Sequence, residues 1–276
     1  MEIKYISSNG KSYNLIGEKM RATSGNFHRY AWTKNVKKTS GKERLIKFTK
    51  ESVNYQLTLT LRGDLDQRKE MLNELIDCFE QDVINREPGT IYVGEYYIKC
   101  FIVSSETKIS EIRNCWSECI VGIYCTDSFW RKERKCEFKK DVVKKSGENL
   151  DFPFDFPFDL TGDEKGNGNV ELNHYTSCDF LLTIYGPCTN PRIVIGDNLY
   201  EVKTKLDDGE YLLVDSKEGT VVRVRTNGMK VNEFDNRATD PNSPFEKVQP
   251  GYNLVSWDGS FGFDLMLFVE RSEPEW

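Results

Sequence analysis

The chain has 276 residues, of which 38% are hydrophobic, 12% aromatic and 30% charged. This length exceeds the roughly 100 to 200 residues of an average domain, so we predict two folded domains. The apolar content excludes a disordered chain. No apolar run reaches the roughly 20 residues of a membrane helix, and residues 1–13 lack the apolar core of a signal peptide, so we expect no membrane partner and synthesis in the cytoplasm.

The formal net charge of −6 argues against general or sequence-specific binding of nucleic acid, which requires a basic surface. Residues 131–145 are the local exception, with eight basic and three acidic residues. We interpret the region 131–150 as a solvated basic linker. The alternative is an electrostatic contact with an acidic neighbouring subunit, which would weaken as the salt concentration rises.

The first half begins with a predicted hairpin. Residues 5–8 and 12–16 flank Asn9-Gly10, a pair that tolerates positive φ at both central positions of a type I′ turn. Residues 34–44 are polar and follow no clear pattern. From residue 53 to residue 62, apolar and polar side chains alternate strictly, which predicts a strand with one buried face.

One prominent helix is predicted at about residues 65–85, where the Asp64 carboxylate can cap the first backbone N–H groups. An apolar stripe that we expect to pack on the sheet consists of Leu72, Leu75, Ile76, Phe79 and Val83. A hairpin around Gly94-Glu95 and a strand over residues 119–125 follow, and this part closes at Phe129-Trp130. We therefore predict that residues 1–138 form a β domain with one α-helix.

Residues 139–276 are predicted to form a β-sandwich. The repeated Phe-Pro-Phe-Asp of residues 151–159 predicts an extended edge segment whose phenylalanines lie in an apolar groove, because proline cannot donate to a strand ladder. The glycine-rich residues 162–169 carry Asp163 and Glu164, which predicts a loop without a phosphate site. Turn residues separate the short predicted strands, which are residues 180–185, 192–195, 199–202, 211–214, 220–224, 254–257 and 261–268.

Eight cysteines raise the question of a metal site or of disulfides. They are Cys78, Cys100, Cys115, Cys119, Cys125, Cys136, Cys178 and Cys188. The densest cluster, Cys115, Cys119 and Cys125, lies in a strand-like segment and has no second cluster to complete a tetrahedral site. His28 and His174 show no paired spacing with it. We therefore expect buried, reduced thiols, no metal and no cofactor.

No sequence pattern defines a catalytic site, and we predict no catalytic residues. GxSxG and HExxH are absent. A glycosidase-like carboxylate pair stays open, namely Asp258 with Asp264 or Glu270. For sugar binding, Trp257 could stack on a sugar ring while Asn253 and Asp258 contact its hydroxyl groups. We favour Trp257 as a core residue, because the alternation of its strand places the ring on the buried face.

The most specific motifs lie after residue 150. They are DFPFDFPFD at 151–159, LTIYGPCTNPRIVI at 182–195, GEYLLVD at 209–215 and FEKVQPGYNLVSWDGSFGFDLMLFVERSEPEW at 245–276. With these motifs the chain resembles the distal tail protein family of siphophages. The first half resembles the ring-forming domain of that family through its hairpin, its single helix and its DSFW ending. The resemblance implies a hexameric belt built by the first domain and a galectin-like sandwich in the second.

The resemblance also implies a structural, non-enzymatic protein at the distal end of the virion tail, made in the cytoplasm of a bacterial host. Six copies would form a hub through which DNA passes. The implied partners are further copies of the chain, the tail tube protein, the tape measure protein, a tail-associated lysin or tail fibre, and the receptor-binding protein. The type of tail or phage-like particle stays open. So do two rival functions, a carbohydrate-binding module at the host surface and a cell-wall hydrolase.

Overall fold

The computed structural model of the protein describes residues 2–39, 41–109, 116–140, 166–240 and 243–275. The chain forms two compact units, one of Met1–Lys132 with Glu270–Trp276 and one of Glu133–Val269. The first unit is therefore discontinuous in sequence. The sequence-based division places its boundary at residues 138 and 139 and keeps everything after it together. The structure instead groups Glu270–Trp276 with the first unit.

The first unit is built from antiparallel strands and one long helix. Its elements are β1 Ile3–Ile6, β2 Ser12–Asn14, β3 Met20–Gly25, β4 Thr33–Thr39, β5 Lys42–Thr49, β6 Val53–Arg62, α1 Leu65–Asn85, β7 Gly89–Val93, β8 Tyr96–Ile109, β9 Trp116–Cys125 and the first residues of β10 Trp130–Phe138, whose remainder from Glu133 belongs to the second unit. One run of paired strands has the order β2-β1-β7-β8 and another the order β3-β6-β9-β8. The long strand β8 therefore belongs to both runs.

The second unit contains the remaining strands, which are β11 Gly166–Leu172, β12 Asp179–Tyr185, β13 Cys188–Thr189, β14 Arg192–Ile195, β15 Asn198–Glu201, β16 Lys205–Leu206, β17 Tyr211–Asp215, β18 Thr220–Val224, β19 Lys230–Asn232, β20 Gly251–Trp257 and β21 Phe263–Arg271, of which the last two residues belong to the first unit. A 3-10 turn lies at Phe234–Asn236. One sheet has the order β19-β18-β17-β12-β21 and the other the order β11-β20-β14-β15. Buried side chains from both sheets form one core, as in a sandwich.

The predicted mainly β fold with a single prominent helix is confirmed. Every strand predicted in the second half is present, with ends that differ by at most three residues from the prediction. Residues 166–169 lie in β11, so the predicted loop over them is wrong. Residues 151–159 lie outside the described residues. No helix in the described ranges is long and apolar enough to cross a bilayer.

The strand predicted from strict alternation is β6. Its buried residues include Leu57, Leu59 and Leu61, while the residues between them are half-buried or exposed. Its ten residues pair along their whole length with β9, where Leu57 is opposite Val121. Each buried leucine stabilises the fold by roughly 1.5 to 3 kcal/mol, so this ladder is a major part of the core.

The first hairpin is confirmed, but its predicted turn type is wrong. β1 pairs with β2, and Tyr5 is opposite Tyr13. The Ser7 carbonyl accepts from the N–H of Gly10, and the Ser7 N–H donates to the Lys11 carbonyl. Gly10 has a φ of +85°, whereas the non-glycine residues of positive φ in the described chain are Arg86 and Asn190. The connection is therefore a three-residue loop closed by one left-handed glycine.

The predicted helix is confirmed as α1. The Asp64 carboxylate accepts from the N–H of Gln67 at 2.8 Å, as expected of an N-cap. Leu72, Leu75 and Phe79 are buried as predicted. Val83 is 40% exposed, so the predicted stripe is wrong at its last member.

The last turn of α1 buries a carboxylate in place of Val83. Asp82 is 0% exposed and accepts from the Tyr5 hydroxyl on β1. It also accepts from the N–H of Ser8 at 3.0 Å and from the Ser8 hydroxyl at 2.6 Å. A buried carboxylate needs such donors, because an uncompensated buried charge is costly. This requirement turns the helix so that Asp82 faces β1 and Val83 faces outward.

Removing the Tyr5 hydroxyl should destabilise the first unit. In the Tyr5→Phe variant, Asp82 loses a buried donor, and we expect the free energy of unfolding to fall by about 1 to 3 kcal/mol in urea denaturation. Tyr13→Phe is the matched control, because the Tyr13 hydroxyl is hydrogen-bonded to the weakly polar Cys78 Sγ at 2.9 Å and Tyr13 is less buried than Tyr5. An equal loss in both variants would contradict the role given to Asp82.

The same pair should make stability depend on pH in alkaline solution. Burial, and then the hydrogen bond from Tyr5 to Asp82, raise the pKa of the Tyr5 phenol above its usual value of about 10. Above that pH the unfolded chain releases the Tyr5 proton while the folded chain keeps it, so folding is favoured less as pH rises. Between pH 7 and pH 11, wild type should therefore lose more stability than Tyr5→Phe. Parallel stability curves for the two proteins would contradict this expectation.

Candidate assembly surface

The structure places the residues singled out for sugar binding in the second unit. Trp257 is 6% exposed, its Nε1–H donates to the Phe261 carbonyl at 3.0 Å, and its ring packs edge-on against Phe263. Asn253 is buried, and its amide donates to the carbonyls of Gln249 and Gly251. Trp257 is therefore a core residue, as favoured from the sequence, and its ring is not offered for stacking.

The carboxylates considered for hydrolysis have structural partners. Asp258 is exposed and accepts from the N–H and the hydroxyl of Ser260 in its own turn. In the second unit, Asp264 accepts from the Tyr185 hydroxyl at 2.8 Å and forms an ion pair with Lys135 at 3.0 Å. These contacts stabilise a turn and a strand, and they do not form a carboxylate pair facing a cleft.

The predicted solvated linker at residues 131–150 is wrong for its first part, because strand β10 extends to Phe138. Arg131 is buried in the first unit and forms ion pairs with Asp127 and, at 2.8 Å, with Glu270. Burial alone would lower the pKa of Arg131, but the hydrogen bond and charge of Glu270, together with the charge of Asp127, raise it. Residues 141–150 lie outside the described chain.

Five of the seven cysteines in the described residues are buried, and three of these lie on strands, whereas Cys115 lies outside the described residues. Cys100 on β8 and Cys119 and Cys125 on β9 are at most 2% exposed. The hydrogen bond with Cys125, and then burial, raise the pKa of the Cys100 thiol, and burial raises that of Cys119. A thiol of raised pKa is a poor nucleophile and metal ligand. In the described ranges, no three His, Cys, Asp or Glu side chains converge on a possible metal position.

The surface that stands out is a hairpin that the sequence pattern does not reveal. Strands β4 and β5 pair with each other and with no other strand of the described chain, and we call residues 33–49 the arm. Leu45 is 49% exposed, Ile46 63% and Phe48 56%. Large apolar side chains grouped on an exposed surface usually mark a contact with another protein. The arm is therefore the candidate assembly surface.

The register of the arm separates two faces, because directly opposed residues share a face. The first, which we call the apolar face, holds the pairs Lys34 with Phe48 and Val36 with Leu45. A third pair on it is the ion pair of Lys38 with Glu43 at 3.2 Å. The second, which we call the basic face, holds the pairs Asn35 with Lys47, Lys37 with Arg44, and Thr39 with Lys42.

The base of the arm is fixed by aromatic contacts within the first unit. The Trp32 and Phe129 rings pack edge to face, with centroids 6.1 Å apart. The Lys50 ammonium lies 4.3 Å from the centroid of Phe129 and donates to the Ser128 carbonyl at 3.1 Å. Burial lowers the pKa of Lys50. The arm thus starts from an ordered position, which is a requirement for a specific contact.

The first unit also has open strand edges. In the described part of the chain, β3 pairs with β6 alone and β2 with β1 alone. An unpaired edge presents backbone N–H and C=O groups that another chain can pair with. The arm is the next element after β3 in sequence, with seven residues between them, so an open edge and exposed apolar residues belong to neighbouring segments of one chain.

Comparison with known proteins gives the class of this fold. No protein-family model and no curated protein matches the sequence. One match is the solved structure of the SPP1 Dit protein, described as a paradigm of the hub adsorption apparatus in phages that infect Gram-positive bacteria. It has a TM-score of 0.61 and 10% identity, over 98% of this chain and 99% of that one. A chain of the phage P2 baseplate, in its activated conformation with Ca, matches with a TM-score of 0.62 and 10% identity over 99% of both chains.

The protein therefore has the fold of phage tail hub and baseplate components. More particularly, it has the fold of the SPP1 Dit protein over nearly its whole length. The likeness covers both units, whereas the specific sequence motifs lie mainly after residue 150.

Polar substitutions on the apolar face should not destabilise a single chain. We expect Phe48→Ser and Leu45→Ser to change the free energy of unfolding by less than about 0.5 kcal/mol in urea denaturation of the monomeric protein, because both side chains are already exposed. Leu57→Ala on β6 is the control and should cost about 2 to 5 kcal/mol. A comparable cost in the arm would mean that its apolar face packs on its own chain.

Proposed function

We propose that the protein is a member of the distal tail protein family and a structural subunit of a phage tail tip. The observation that carries this proposal is a likeness to a hub protein that covers both units and almost the full length of both chains. A fold shared over two consecutive units is more specific than one shared sandwich, which serves many functions. At the tail tip, six copies form a ring through the first unit, and the second unit is a galectin-like sandwich.

A closed ring requires two different and complementary surfaces on each copy. The first unit offers the arm together with the open edges of β3 and β2, so it carries more than one kind of surface. Exposed apolar side chains such as Phe48 would be removed from water when the ring closes, at roughly 25 cal/mol for each Å² buried. These features support the first unit as the ring-forming part.

The partners in this role are the tail tube protein, the tape measure protein, the tail-associated lysin or tail fibre, and the receptor-binding protein. DNA passes through the hole of the ring. The net charge of −6 suits such a conduit, because a strongly basic wall would hold phosphates and impede passage. The protein acts by binding alone and makes or breaks no bond.

The rival functions gain no support from the described residues. A sugar site around Trp257 would need an accessible ring, which lies in the core instead. A hydrolase would need two carboxylates facing a common cleft, and Asp264 is held by Tyr185 and Lys135.

Ring formation is tested by the mass of the full chain in solution. We expect native mass spectrometry and light scattering across the micromolar range to give a particle of six times 32.0 kDa. A strict monomer throughout that range would contradict ring closure by this chain alone. Antibody labelling of purified phage particles then tests the location separately, and label anywhere except the tail tip would contradict the proposed role.

A further inference from the structure

The basic face of the arm carries charges that the chain does not neutralise. Lys37 and Arg44 are directly opposite each other, with Lys47 and Lys42 in the flanking pairs. Like charges directly opposed on a sheet are destabilising. All four side chains are exposed, and no carboxylate of the described residues forms an ion pair with any of them. On the other face, by contrast, Lys38 is neutralised by Glu43.

The outer face of α1 carries the opposite charge. Its exposed carboxylates are those of Asp66, Glu70, Asp77 and Glu80. At about 100° per residue, these four positions fall within about 80° of the helix circumference. None of them takes part in an ion pair with another described residue, whereas Glu74 nearby is paired with Lys11. The helix thus presents a narrow acidic strip.

The two surfaces are opposite in sign and comparable in length. Successive pairs on one face of a hairpin are about 6.8 Å apart, which is twice the rise of an antiparallel strand. The three pairs of the basic face therefore span about 14 Å, and the carboxylates from Asp66 to Glu80 span about 21 Å of the helix axis at 1.5 Å per residue. The cations of the arm can therefore all lie within the length of the acidic strip.

We propose that the basic face of the arm docks on the acidic strip of α1 in a second copy of this chain. This inference rests on the proposed ring function and names the two surfaces that meet in it. They are different parts of the first unit, as a heterologous ring contact requires. The occupant is a protein and not a nucleic acid, because the apolar face with Leu45 and Phe48 also needs cover and the chain is acidic as a whole.

The test is a charge swap in the full chain. The variant Lys37→Glu/Arg44→Glu should raise the concentration needed for assembly by at least about tenfold, since it places carboxylates against carboxylates. The reciprocal variant Glu70→Lys/Asp77→Lys should weaken assembly similarly. Mixing the two variants, or combining all four substitutions in one chain, should restore assembly. Both effects should shrink at high salt, where exposed charges are screened.

The matched control is Lys34→Glu, which makes the same change on the apolar face and should not be rescued by Glu70→Lys/Asp77→Lys. Unfolding in urea checks that each variant folds like wild type. If Lys37→Glu/Arg44→Glu assembles like wild type, this inference is overturned while the ring itself stands. A wild-type chain that never assembles would overturn both. Loss of binding to a double-stranded DNA oligonucleotide, without rescue by the helix variant, would assign the basic face to nucleic acid and also overturn the inference.

Discussion

The architecture of the first unit depends on the ladder between β6 and β9. Its register is fixed by burial, because Leu57, Leu59 and Leu61 share one face and a slip of one residue would turn all of them toward water. The positions of two other features depend on this ladder. The open edge strand β3 is paired with β6, and α1 begins three residues after β6 ends. The arm ends shortly before β6 begins, so the same register also fixes the position of the base of the arm on the first unit.

One-sided burial explains what could be predicted from the sequence. Strand β6 and helix α1 each bury one face, and the resulting alternation or apolar stripe is visible in the residues. The arm exposes both of its faces, so residues 34–44 carry no alternation, although Gly41 at a φ of +77° marks its turn. Strand β10 also lacks a recognisable strand pattern, because its many charged residues suggest a linker. The structure shows that Arg131 at its start is buried and paired with two carboxylates.

The candidate surface depends on the strand register of the arm, which cannot be read from the order of residues alone. Lys47 shares the basic face with Lys37 and Arg44 only because a bulge between Asn35 and Val36 absorbs Ile46, and without it Lys47 would be opposite Lys34 on the other face. For Trp257, by contrast, the alternation of apolar and polar residues in its strand is enough to predict that the ring lies in the core. The likeness to Dit at 10% identity extends this point, since a fold is preserved by which faces are buried and tolerates change in the residues that bury them.

The discontinuous first unit has a consequence for biosynthesis. Arg131 is buried against Glu270, a residue 139 positions further along the chain. A ribosome therefore releases the strands of the first unit long before the carboxylate that compensates this guanidinium exists. Until residue 270 emerges, Arg131 has only one of its two counter-charges, that of Asp127, and a buried ion pair that lacks one partner is destabilising. Completion of the first unit is thus delayed until the intervening unit has been translated.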